Sequence, residues 1–556
     1  MKTRYGIALL ALFVSLSAGA QNMYDAYRYS ATDYLGSARV LGLGGAVTAV
    51  GSDLGSISYN PAASAVAKYS QFSFSPSFST SLVNTSFILD PSSKPQQATG
   101  MKNTNFRLPN IGISSRMDLS YDSSSAVSFA FVINSTYDYN YAHRGSGLNS
   151  YSSKFAEMAR AAEGFTNAEL GSDDFYNNSA NSSYWDVAMA YNAGLINAYE
   201  ADGHYVGCSE IVTEDGLRFV PSDLMQKSEV LTSGSKSDMI FNMAFDFDNK
   251  FYVGVNLGMP FFEYSNMERF SEVAQVVEDF PIKFIYSDGS EENTFFDNAS
   301  YQYNYSSEGL GVYAKLGFIW LPVRGLRLGF AYQTPTLMDI TETWVHSGKV
   351  HYDNGSSYSA RSLTGSYSYS IVTPHHFDFG LAYTISDKAF FSLDYSLEDY
   401  SSMKIYDSYD DGYYDVVNAG ISEFSGCSHA FRFGVEFKLN KSFALRAGAN
   451  LITSAEKYYS SEDSDVFYSD YNEDYYSGRK DLPVHSRYVQ DYRKSISLGF
   501  GYNDSSSPFY ADVAVRYASL PLETYQPYYD YDDVYSPLFR NTRSLVNAVL
   551  TLGWRF

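Results

Sequence analysis

The chain has 556 residues, of which 17% are aromatic, and its formal net charge is -23 at pH 7. Such an acidic chain is unsuited to nucleic acid, whose phosphates require a basic surface. Two cysteines and a mean hydropathy of -0.25 exclude a disulfide scaffold and a helical membrane protein. Many aromatic residues with weak overall hydrophobicity are typical of a transmembrane β-barrel, because half of each strand faces water.

Residues 1–20 predict a secretory signal peptide. Lys2 and Arg4 precede an apolar run at 7–16, and Ala18-Gly19-Ala20 is an A-x-A cleavage signal that makes Gln21 the first mature residue. The apolar run is too short for a membrane anchor. Removal of two basic residues takes the formal charge of the mature chain from -23 to -25.

From about Ser70 to the last residue, apolar side chains alternate with polar or small ones. This period of two predicts β-strands. The last segment places Asn547, Thr551, Gly553 and Arg555 on a face suited to a polar lumen. Its other face is suited to lipid and carries Val546, Ala548, Leu550, Leu552, Trp554 and Phe556.

Fourteen segments alternate in this way. They are centred on residues 70–83, 104–117, 124–136, 237–247, 251–262, 309–321, 326–340, 364–384, 389–404, 429–439, 443–453, 494–502, 508–520 and 543–556. An even number suits a closed bacterial barrel. The sequence therefore predicts an all-β fold, a 14-stranded antiparallel transmembrane β-barrel.

Short turns alternate with long polar connections. The short turns lie at residues 118–123, 248–250, 322–325, 385–388, 439–442 and 503–507. A soluble β-sandwich would not sort its connections in this manner, whereas outer-membrane barrels have short periplasmic turns and long outer loops. This arrangement predicts that both chain ends lie in the periplasm.

The long connections are rich in Tyr, Asp, Ser and Asn, as in "EKYYSSEDSDVFYSDYNEDYYSG", and we expect them to form outer loops. The longest, residues 137–236, carries Phe155, Met158, Ala159 and Ala162 at helical spacing. They predict an amphipathic helix over the barrel mouth. Its apolar face either packs against the barrel or captures a ligand.

We expect no enzyme, because no catalytic constellation is present. The glycines of residues 42–45 begin a G-x-G-x-x-G pattern, but Val47 replaces the third glycine and no βαβ unit surrounds it. His375 and His376 are the one adjacent pair among eight scattered histidines, and at most one of them faces the lumen because neighbouring strand residues point to opposite faces.

No cofactor or metal is expected either. The acidic clusters at residues 410–412 and 462–465 lack the complete spacing of a calcium loop and are interpreted as solvated loops. Cys208 and Cys427 have neither CxxC spacing nor clustered histidines around them. A single bridge between the two cysteines stays open, since an oxidising compartment permits it.

Charged residues recur on the polar faces of the predicted strands. They are Lys315, Arg327, Asp378, Asp394, Glu398, Arg432, Glu436, Arg446, Asp512, Arg516 and Arg555. A barrel of fourteen strands is wider than side chains alone can fill. The barrel is therefore either an open pore or plugged.

Residues 21–69 are too apolar and glycine-rich for a disordered tail, and we expect them to form an N-terminal hatch inside a barrel of residues 70–556. The stretch "ARVLGLGGAVTAVGSDLGSISYNPAA" resembles the start of the FadL-type long-chain fatty-acid transporter family, with its glycine-rich segment, alanine/valine stretch and Asn-Pro-Ala motif. The matching residues are Gly42, Gly44, Gly45, Asn60, Pro61 and Ala62.

Three further stretches resemble strand-turn-strand units of that family: "GVYAKLGFIWLPVRGLRLGFAYQTPT", "TPHHFDFGLAYTISDKAFFSLDYSLEDY" and "FRFGVEFKLNKSFALRAGANL". The resemblance implies that a hydrophobic ligand is captured near outer-loop helices and leaves sideways through a gap made by an inward kink of the third strand. Here the third strand, "SSAVSFAFVINST", has neither Gly nor Pro. A kink would have to come from a β-bulge that the sequence does not announce.

Two functions of different classes follow. The first is an outer-membrane channel for passive uptake of long-chain fatty acids or other hydrophobic small molecules, gated by the hatch. The second is a receptor or adhesin, binding haem or a surface ligand through Tyr-rich loops. Both place the chain in the outer membrane of a Gram-negative bacterium. The expected partners are outer-membrane lipid and a hydrophobic small-molecule ligand, and we expect a monomer whose C-terminal Phe556 engages the barrel-assembly machinery.

Overall fold

The structure is a computed structural model. It describes residues 23–89, 93–119, 124–199, 203–285, 290–386, 388–407, 412–455, 492–504, 506–531 and 533–556. The predicted signal peptide, the acidic cluster at 462–465 and most of the cluster at 410–412 lie outside these residues.

Fourteen antiparallel strands form the barrel wall, and five of them are interrupted. In chain order they are β1 (Gln71–Ile88), β2 (Thr99–Asp118), β3 with β4 (Ala126–Asp138, Tyr141–Asn149), β9 (Leu224–Phe247), β10 (Phe251–Ala274), β12 (Glu291–Trp320), β13 with β14 (Leu326–Gln333, Leu337–Tyr352), β16 with β17 (Gly365–Val372, His376–Ile385), β18 with β19 (Ala389–Asp399, Lys404–Tyr406), β20 (Cys427–Lys438), β21 (Phe443–Ile452), β22 (Arg493–Asn503), β23 with β24 (Phe509–Ser519, Glu523–Tyr525) and β25 (Leu538–Arg555).

The wall is closed, because β1 pairs with β2 on one edge and with β25 on the other. Each of the fourteen predicted segments coincides with one wall strand, so the predicted fold class is confirmed. Short turns gather at one end, which we name the short-turn end. At one of these turns, Asp248 and Asn249 both have a φ of 54°, as a two-residue type I′ hairpin requires.

Several strands continue far beyond their predicted ends at the opposite, long-loop end. Strands β9 and β10 have 24 residues each and β12 has 30. Their upper parts alternate less clearly, since both faces are polar or aromatic there, and sequence periodicity therefore underestimates their length. No helix in the described ranges is long and apolar enough to cross a membrane.

The two faces of the wall differ as predicted. Exposed apolar side chains form an outward band, for example Leu310, Val312, Leu316 and Trp320 along β12. The inward face carries small and polar residues, such as the buried serines 73–81 of β1. An apolar band about 25 Å tall is what a bilayer requires of a barrel.

Residues 31–69 run down through the lumen, and helix α1 lies above them. The hatch contains α1 (Met23–Ser30), α2 (Ala38–Gly42), a 3-10 turn (Leu54–Ser58) and α3 (Ala63–Val66). The C-terminal Phe556 pairs with Ser70 at the short-turn end, whereas α1 packs beside Phe262 of the upper wall. The first two mature residues lie outside the described residues, so the predicted periplasmic placement of the N-terminus stays a prediction.

Loop segments form a cap at the long-loop end. It contains α4 (Lys154–Ala161), α5 (Asn167–Leu170), α6 (Asp174–Asn177) and α7 (Trp185–Asn192), the strand pairs β5 (Ile196–Ala198) with β6 (Tyr205–Gly207) and β7 (Ile211–Val212) with β8 (Arg218–Phe219), and the edge strands β11 (Pro281–Ile285) and β15 (Ser357–Arg361). A further helix, α8 (Asp415–Phe424), lies nearer the lumen and contacts α1. The cap has its own apolar core, centred on α4 and α7.

Candidate functional site: the lumen and its side gap

The hatch backbone lies directly against the wall in the lower lumen. Gly44 and Gly45 have φ values of 64° and 80°, which L-residues with side chains rarely adopt. A Cβ atom on Gly44 would lie 2.7 Å from the backbone nitrogen of Ala449. These glycines therefore serve close backbone packing, and the G-x-G of this segment is not a phosphate loop.

The Asn-Pro-Ala motif fastens the hatch to the wall. The Asn60 side-chain amide donates to the carbonyls of Thr48 at 2.8 Å and Phe318 at 3.0 Å, while its Oδ1 accepts from Ala62 N at 3.0 Å. On β9, Asn242 donates to the carbonyl of Pro61 at 2.9 Å. The motif thus joins two hatch turns to β9 and β12.

One group of buried charges lies beside the 3-10 turn of the hatch. Lys315 Nζ lies 2.9 Å from Asp378 Oδ2 and donates to the Ser58 carbonyl at 2.8 Å. His376 bridges Asp378 at 2.8 Å and Glu398 at 2.7 Å. His376 faces the lumen and His375 faces outward, in agreement with the prediction that at most one of the pair points inward.

A second group ties α2 to the wall. Glu436 Oε2 lies 3.2 Å from Arg39 Nε of the hatch and 2.6 Å from Arg446 Nε, and Arg446 also pairs with Asp512 at 2.5 Å. All four side chains lie in the lumen. Since each charge has an opposite partner, the group compensates the cost of removing charges from water.

Asp33 anchors the segment between α1 and α2. Its two carboxylate oxygens each accept a hydrogen bond of 2.8 Å from the Arg516 guanidinium, and Arg493 donates to it as well. The bidentate geometry makes this a strong, directional contact.

The remaining predicted lumen charges contact the hatch or its last residues. Arg327 donates to the Val50 carbonyl at 2.7 Å, Asp394 accepts from Thr48 N at 2.7 Å, Arg432 lies over the Tyr59 ring at 5.4 Å, and Arg555 lies over the Tyr69 ring at 4.5 Å. The structure thus brings together, around one plug, residues that the sequence placed on separate strands.

Little space is left between hatch and wall. A cavity of about 20 Å³ lies between α2, Tyr59, Arg432 and Arg516, which is room for a single water molecule. In this conformation the lower lumen is therefore filled by the hatch and its polar contacts.

The upper lumen is lined differently, by an aromatic and aliphatic group that we name the upper chamber. It comprises Ala26, Tyr29, Tyr139, Phe262, Tyr264, Tyr305, Met338, Ile340, Tyr369, Ile371, Tyr400, Met403, Ile405, Tyr414 and Ile421. These residues come from α1, α8 and several wall strands. Such a lining suits an apolar molecule that carries a polar end, because the tyrosines offer hydroxyl groups among the rings.

Tyr29 of α1 occupies the centre of the upper chamber. Its ring stacks on Phe262 with centroids 4.4 Å apart, and its hydroxyl lies 2.9 Å from that of Tyr305 and 2.7 Å from Ser307 Oγ. The side chain is fully buried. A ligand in the chamber would have to displace this ring.

The hydrogen-bond ladder of the wall is interrupted beside the upper chamber, and we name this interruption the side gap. Strand β2 pairs with β3 from Asn110↔Asn134 to Asp118↔Ala126. Residues 99–109 of β2 pair with β1 on one edge, but no described strand pairs with their other edge. The ladder between the second and third wall strands is therefore broken in its upper half.

A β-bulge causes the break. The β3–β9 register shifts between Ser135 and Tyr137, so that Thr136 is left over, and the strand then continues along β9 as β4. Strand β4 leaves the wall and lies over the inner faces of β1 and β25, where a Cβ on Gly145 would meet Thr85 Cγ2 at 2.7 Å. The kink implied by the family resemblance is thus present, without Gly or Pro at the bulge.

Arg107 and the hatch contact the two sides of the bulge. Arg107 of β2 donates to Ser135 Oγ at 2.7 Å and to the Tyr137 carbonyl at 3.0 Å, and it lies 3.1 Å from Asp138. On the inner side, Asp33 N donates to the Thr136 carbonyl at 2.6 Å. The hatch and the side gap are therefore physically connected.

Sequence reasoning missed Tyr29, Asp33, Arg107 and Thr136. The hatch start "MYDAYRYS" carries the one available signal, since three tyrosines in eight residues are unusual for a mobile N-terminal tail. The bulge has no signal, because any residue type can occupy it.

The predicted loop helix exists as α4, but its apolar face is used for packing. Phe155, Met158, Ala159 and Ala162 are all fully buried in the core of the cap. A role in ligand capture would require the cap to open. Cys208 is buried in the same core and Cys427 is exposed at the start of β20. Neither forms a disulfide, so the bridge left open by the sequence is not formed.

Within the part of the chain that the structure describes, no group of three His, Cys, Asp or Glu side chains could hold a metal ion. The charged groups of the lumen instead pair with one another and with the hatch.

No protein-family model and no curated protein sequence matches the chain. Solved structures that are similar to it include a FadL homologue of Pseudomonas aeruginosa, with 11% identity, a TM-score of 0.48 and coverage of 95% of this chain and 99% of that one. The P. putida toluene transporter TodX is 12% identical, with a TM-score of 0.46 and coverage of 93% and 97%. The Ralstonia pickettii toluene transporter TbuX is 12% identical, with a TM-score of 0.43 and the same coverage. The likeness to all three is one of fold alone.

Proposed function

We propose that the protein is an outer-membrane channel for the passive uptake of hydrophobic small molecules, long-chain fatty acids among them, gated by the hatch. The short-turn end faces the periplasm and the long-loop end faces outward, as in other bacterial barrels. The observation that carries the proposal is the side gap next to an aromatic chamber.

The ligand comes from the long-loop end and binds in the upper chamber by displacing Tyr29. Transfer of an apolar chain from water into the chamber is favourable by about 0.8 kcal/mol per buried CH₂ group. This binding step is favourable by itself, so the protein needs no energy source for it. Removal of the Tyr29 hydroxyl leaves the Tyr305 hydroxyl and Ser307 Oγ without the partner they share, and these oxygens then contact a polar end of the ligand.

Displacement of α1 strains the hydrogen bond from Asp33 N to the Thr136 carbonyl, while the Asp33 carboxylate stays paired with Arg516. Since Thr136 is the bulged residue of the side gap, the same movement loosens the gap. The ligand then leaves sideways into the membrane. This path avoids re-exposure of its apolar surface to water, and it bypasses the charged lower lumen.

The test is to fill the side gap and measure uptake of labelled palmitic acid by cells. Asn105 lies on the free half of β2 and faces the lumen side, whereas its neighbour Thr104 is exposed on the outer face. We expect Asn105→Trp to lower uptake at least severalfold and Thr104→Trp to leave it unchanged. Equal uptake by both variants would contradict the proposed path.

Deletion of residues 21–69 separates this function from a receptor or adhesin. A gated channel would change its uptake of palmitic acid and its ion leakage without the hatch. Loop-mediated binding to a surface partner would survive the deletion, and unchanged uptake would favour that second function.

A further inference from the structure

A second irregularity of the wall lies on strands well away from the side gap. Strand β13 stops at Gln333 before Thr334-Pro335-Thr336, and β16 stops at Val372 before Thr373-Pro374-His375. Proline has no N–H to donate, which interrupts a sheet ladder. On the next strand, the 3-10 turn Tyr400–Ser402 separates β18 from β19. Three adjacent wall strands are therefore irregular at one level.

The outer surface has a recess at this level, with a volume of about 660 Å³. It is lined by Leu316, Phe330, Tyr332, His375, Phe377, Leu397, Asp399 and Ser402. The volume falls within the range of about 300–1,000 Å³ that is usual for sites of small organic ligands. None of these lining residues belongs to the upper chamber, whose buried residues Tyr400 and Met403 flank Ser402 in the sequence.

The recess opens toward lipid. The recess lies in line with the outward band: its lining residue Leu316 is 57% exposed on β12. Leu393, four residues before Leu397 on β18 and outside the recess, is 51% exposed. A groove in this band is surrounded by hydrocarbon, so an apolar chain from the membrane is its natural occupant.

The upper rim of the recess is polar. Asp399 is the first outward charged residue of β18 above Leu397, so on this strand the apolar band ends at the rim. The ester groups of membrane lipids lie at that boundary, between the hydrocarbon and the headgroups.

His375 provides a free hydrogen-bonding atom at the rim. Its ring stacks on Tyr332 with centroids 5.8 Å apart, and its Nδ1 lies 2.8 Å from the Tyr332 hydroxyl. Among the described residues, its Nε2 has no hydrogen-bond partner. When Nδ1 accepts from Tyr332, Nε2 carries the proton and donates.

The negative charge at the rim favours an uncharged ligand group at this place. Asp399 is the one charged side chain among the lining residues, and its Oδ1 already accepts from Ser401 N and Oγ at 3.1 and 2.6 Å. A second anionic group beside it would be repelled. An ester carbonyl is uncharged and accepts a hydrogen bond, as His375 requires.

We propose that this recess binds one acyl chain of a membrane ester lipid, with the chain against Phe330, Phe377 and Leu397 and the ester carbonyl accepting from His375 Nε2. The site is separate from the proposed transport path and does not depend on it.

The test is native mass spectrometry of the full-length protein in detergent, with a diacyl phospholipid or its ether-linked analogue. We expect the wild type to retain one diacyl phospholipid more than Leu397→Trp, which fills the recess. The matched control Leu393→Trp adds the same side chain to the same lipid-facing strand outside the recess and should retain the wild-type number. His375→Phe keeps the ring on Tyr332 and should bind ester and ether lipids alike, whereas the wild type prefers the ester.

Equal retention by the wild type and Leu397→Trp would overturn the proposal, as would equal loss in both tryptophan variants. Displacement of the phospholipid by palmitic acid would assign the recess to the transported ligand instead and would overturn the lipid assignment. None of these outcomes changes the uptake measured with Asn105→Trp, so the two proposals fail or stand separately.

Discussion

The lower and upper halves of the lumen are closed by different forces. In the lower half, ion pairs and hydrogen bonds join the hatch to the wall, as at Asp33 with Arg516 and Lys315 with Asp378. In the upper half, rings pack around Tyr29 of α1. Paired buried charges are costly to separate, whereas apolar surfaces exchange one apolar partner for another at little cost.

This difference suggests different functions for the two halves of the lumen. We propose that the polar half blocks ions and stays in place, while the aromatic half accepts a ligand by exchanging Tyr29 for it. The side gap meets the lumen above the polar half, because Tyr139 at the bulge belongs to the upper chamber. The proposed path of a ligand through the wall would therefore leave the lower hatch seated.

The largest effect is expected from Asp33→Ala in the lower half. It leaves Arg516 and Arg493 without their shared carboxylate, and breaking a buried ion pair costs about 3–5 kcal/mol. We expect the hatch to loosen and ion conductance in planar bilayers to rise strongly. The double variant Asp33→Ala/Arg516→Leu should leak less than the sum of the single variants, and strict additivity would contradict the contact.

A smaller increase in conductance is expected from Gly44→Val. A left-handed conformation costs a valine about 1–2 kcal/mol, and its Cβ overlaps the backbone of Ala449. The control is Gly164→Val, which has a φ of 98° but nothing within 4 Å of the added Cβ. If both variants leak equally, strain and not hatch seating is the cause.

The upper half should respond in uptake and not in conductance. Tyr29→Ala removes the ring from Phe262 and weakens the hold on α1, so we expect faster uptake of labelled palmitic acid at unchanged ion conductance. Tyr29→Phe keeps the ring and should lie between the wild type and Tyr29→Ala. An ion leak in Tyr29→Ala would remove the distinction between the two halves.

The smallest effect is expected in the cap, which lies above the upper chamber. Burial raises the pKa of the Cys208 thiol in the cap well above its usual value, and a buried neutral thiol reacts poorly, whereas Cys427 is exposed. We expect maleimide to modify Cys427 and to spare Cys208 in the folded protein, as read by mass spectrometry. Rapid modification of Cys208 would mean that the cap opens readily.

Sequence periodicity predicted the wall because each strand has one face in lipid and one in the lumen, as Phe431 and Arg432 of β20 illustrate. It also placed the lumen charges on the correct faces, although their partners, such as Arg39 for Glu436, are distant in the sequence and could not be paired from it. The hatch could be predicted from its glycines and the Asn-Pro-Ala motif.

The side gap could not be predicted from the sequence in the same way. The bulge at Thr136 depends on one extra residue in a register, and β4 has no apolar alternation because it faces the lumen on one side and β1 on the other. The Tyr-rich outer segment at residues 456–491 lies outside the described residues, so its expected role as an outer loop stays a prediction.

The central claim is that a hydrophobic ligand leaves the lumen through the side gap and not past the lower hatch. The most direct measurement is photolabelling of the membrane-embedded protein with diazirine-bearing palmitic acid, followed by mapping of the modified residues. We predict modification in the upper chamber and at the gap, at Tyr139, Asn105 and Tyr137. Modification of the lower contacts, at Arg39, Lys68 and Arg446, with the gap residues unlabelled, would contradict the claim.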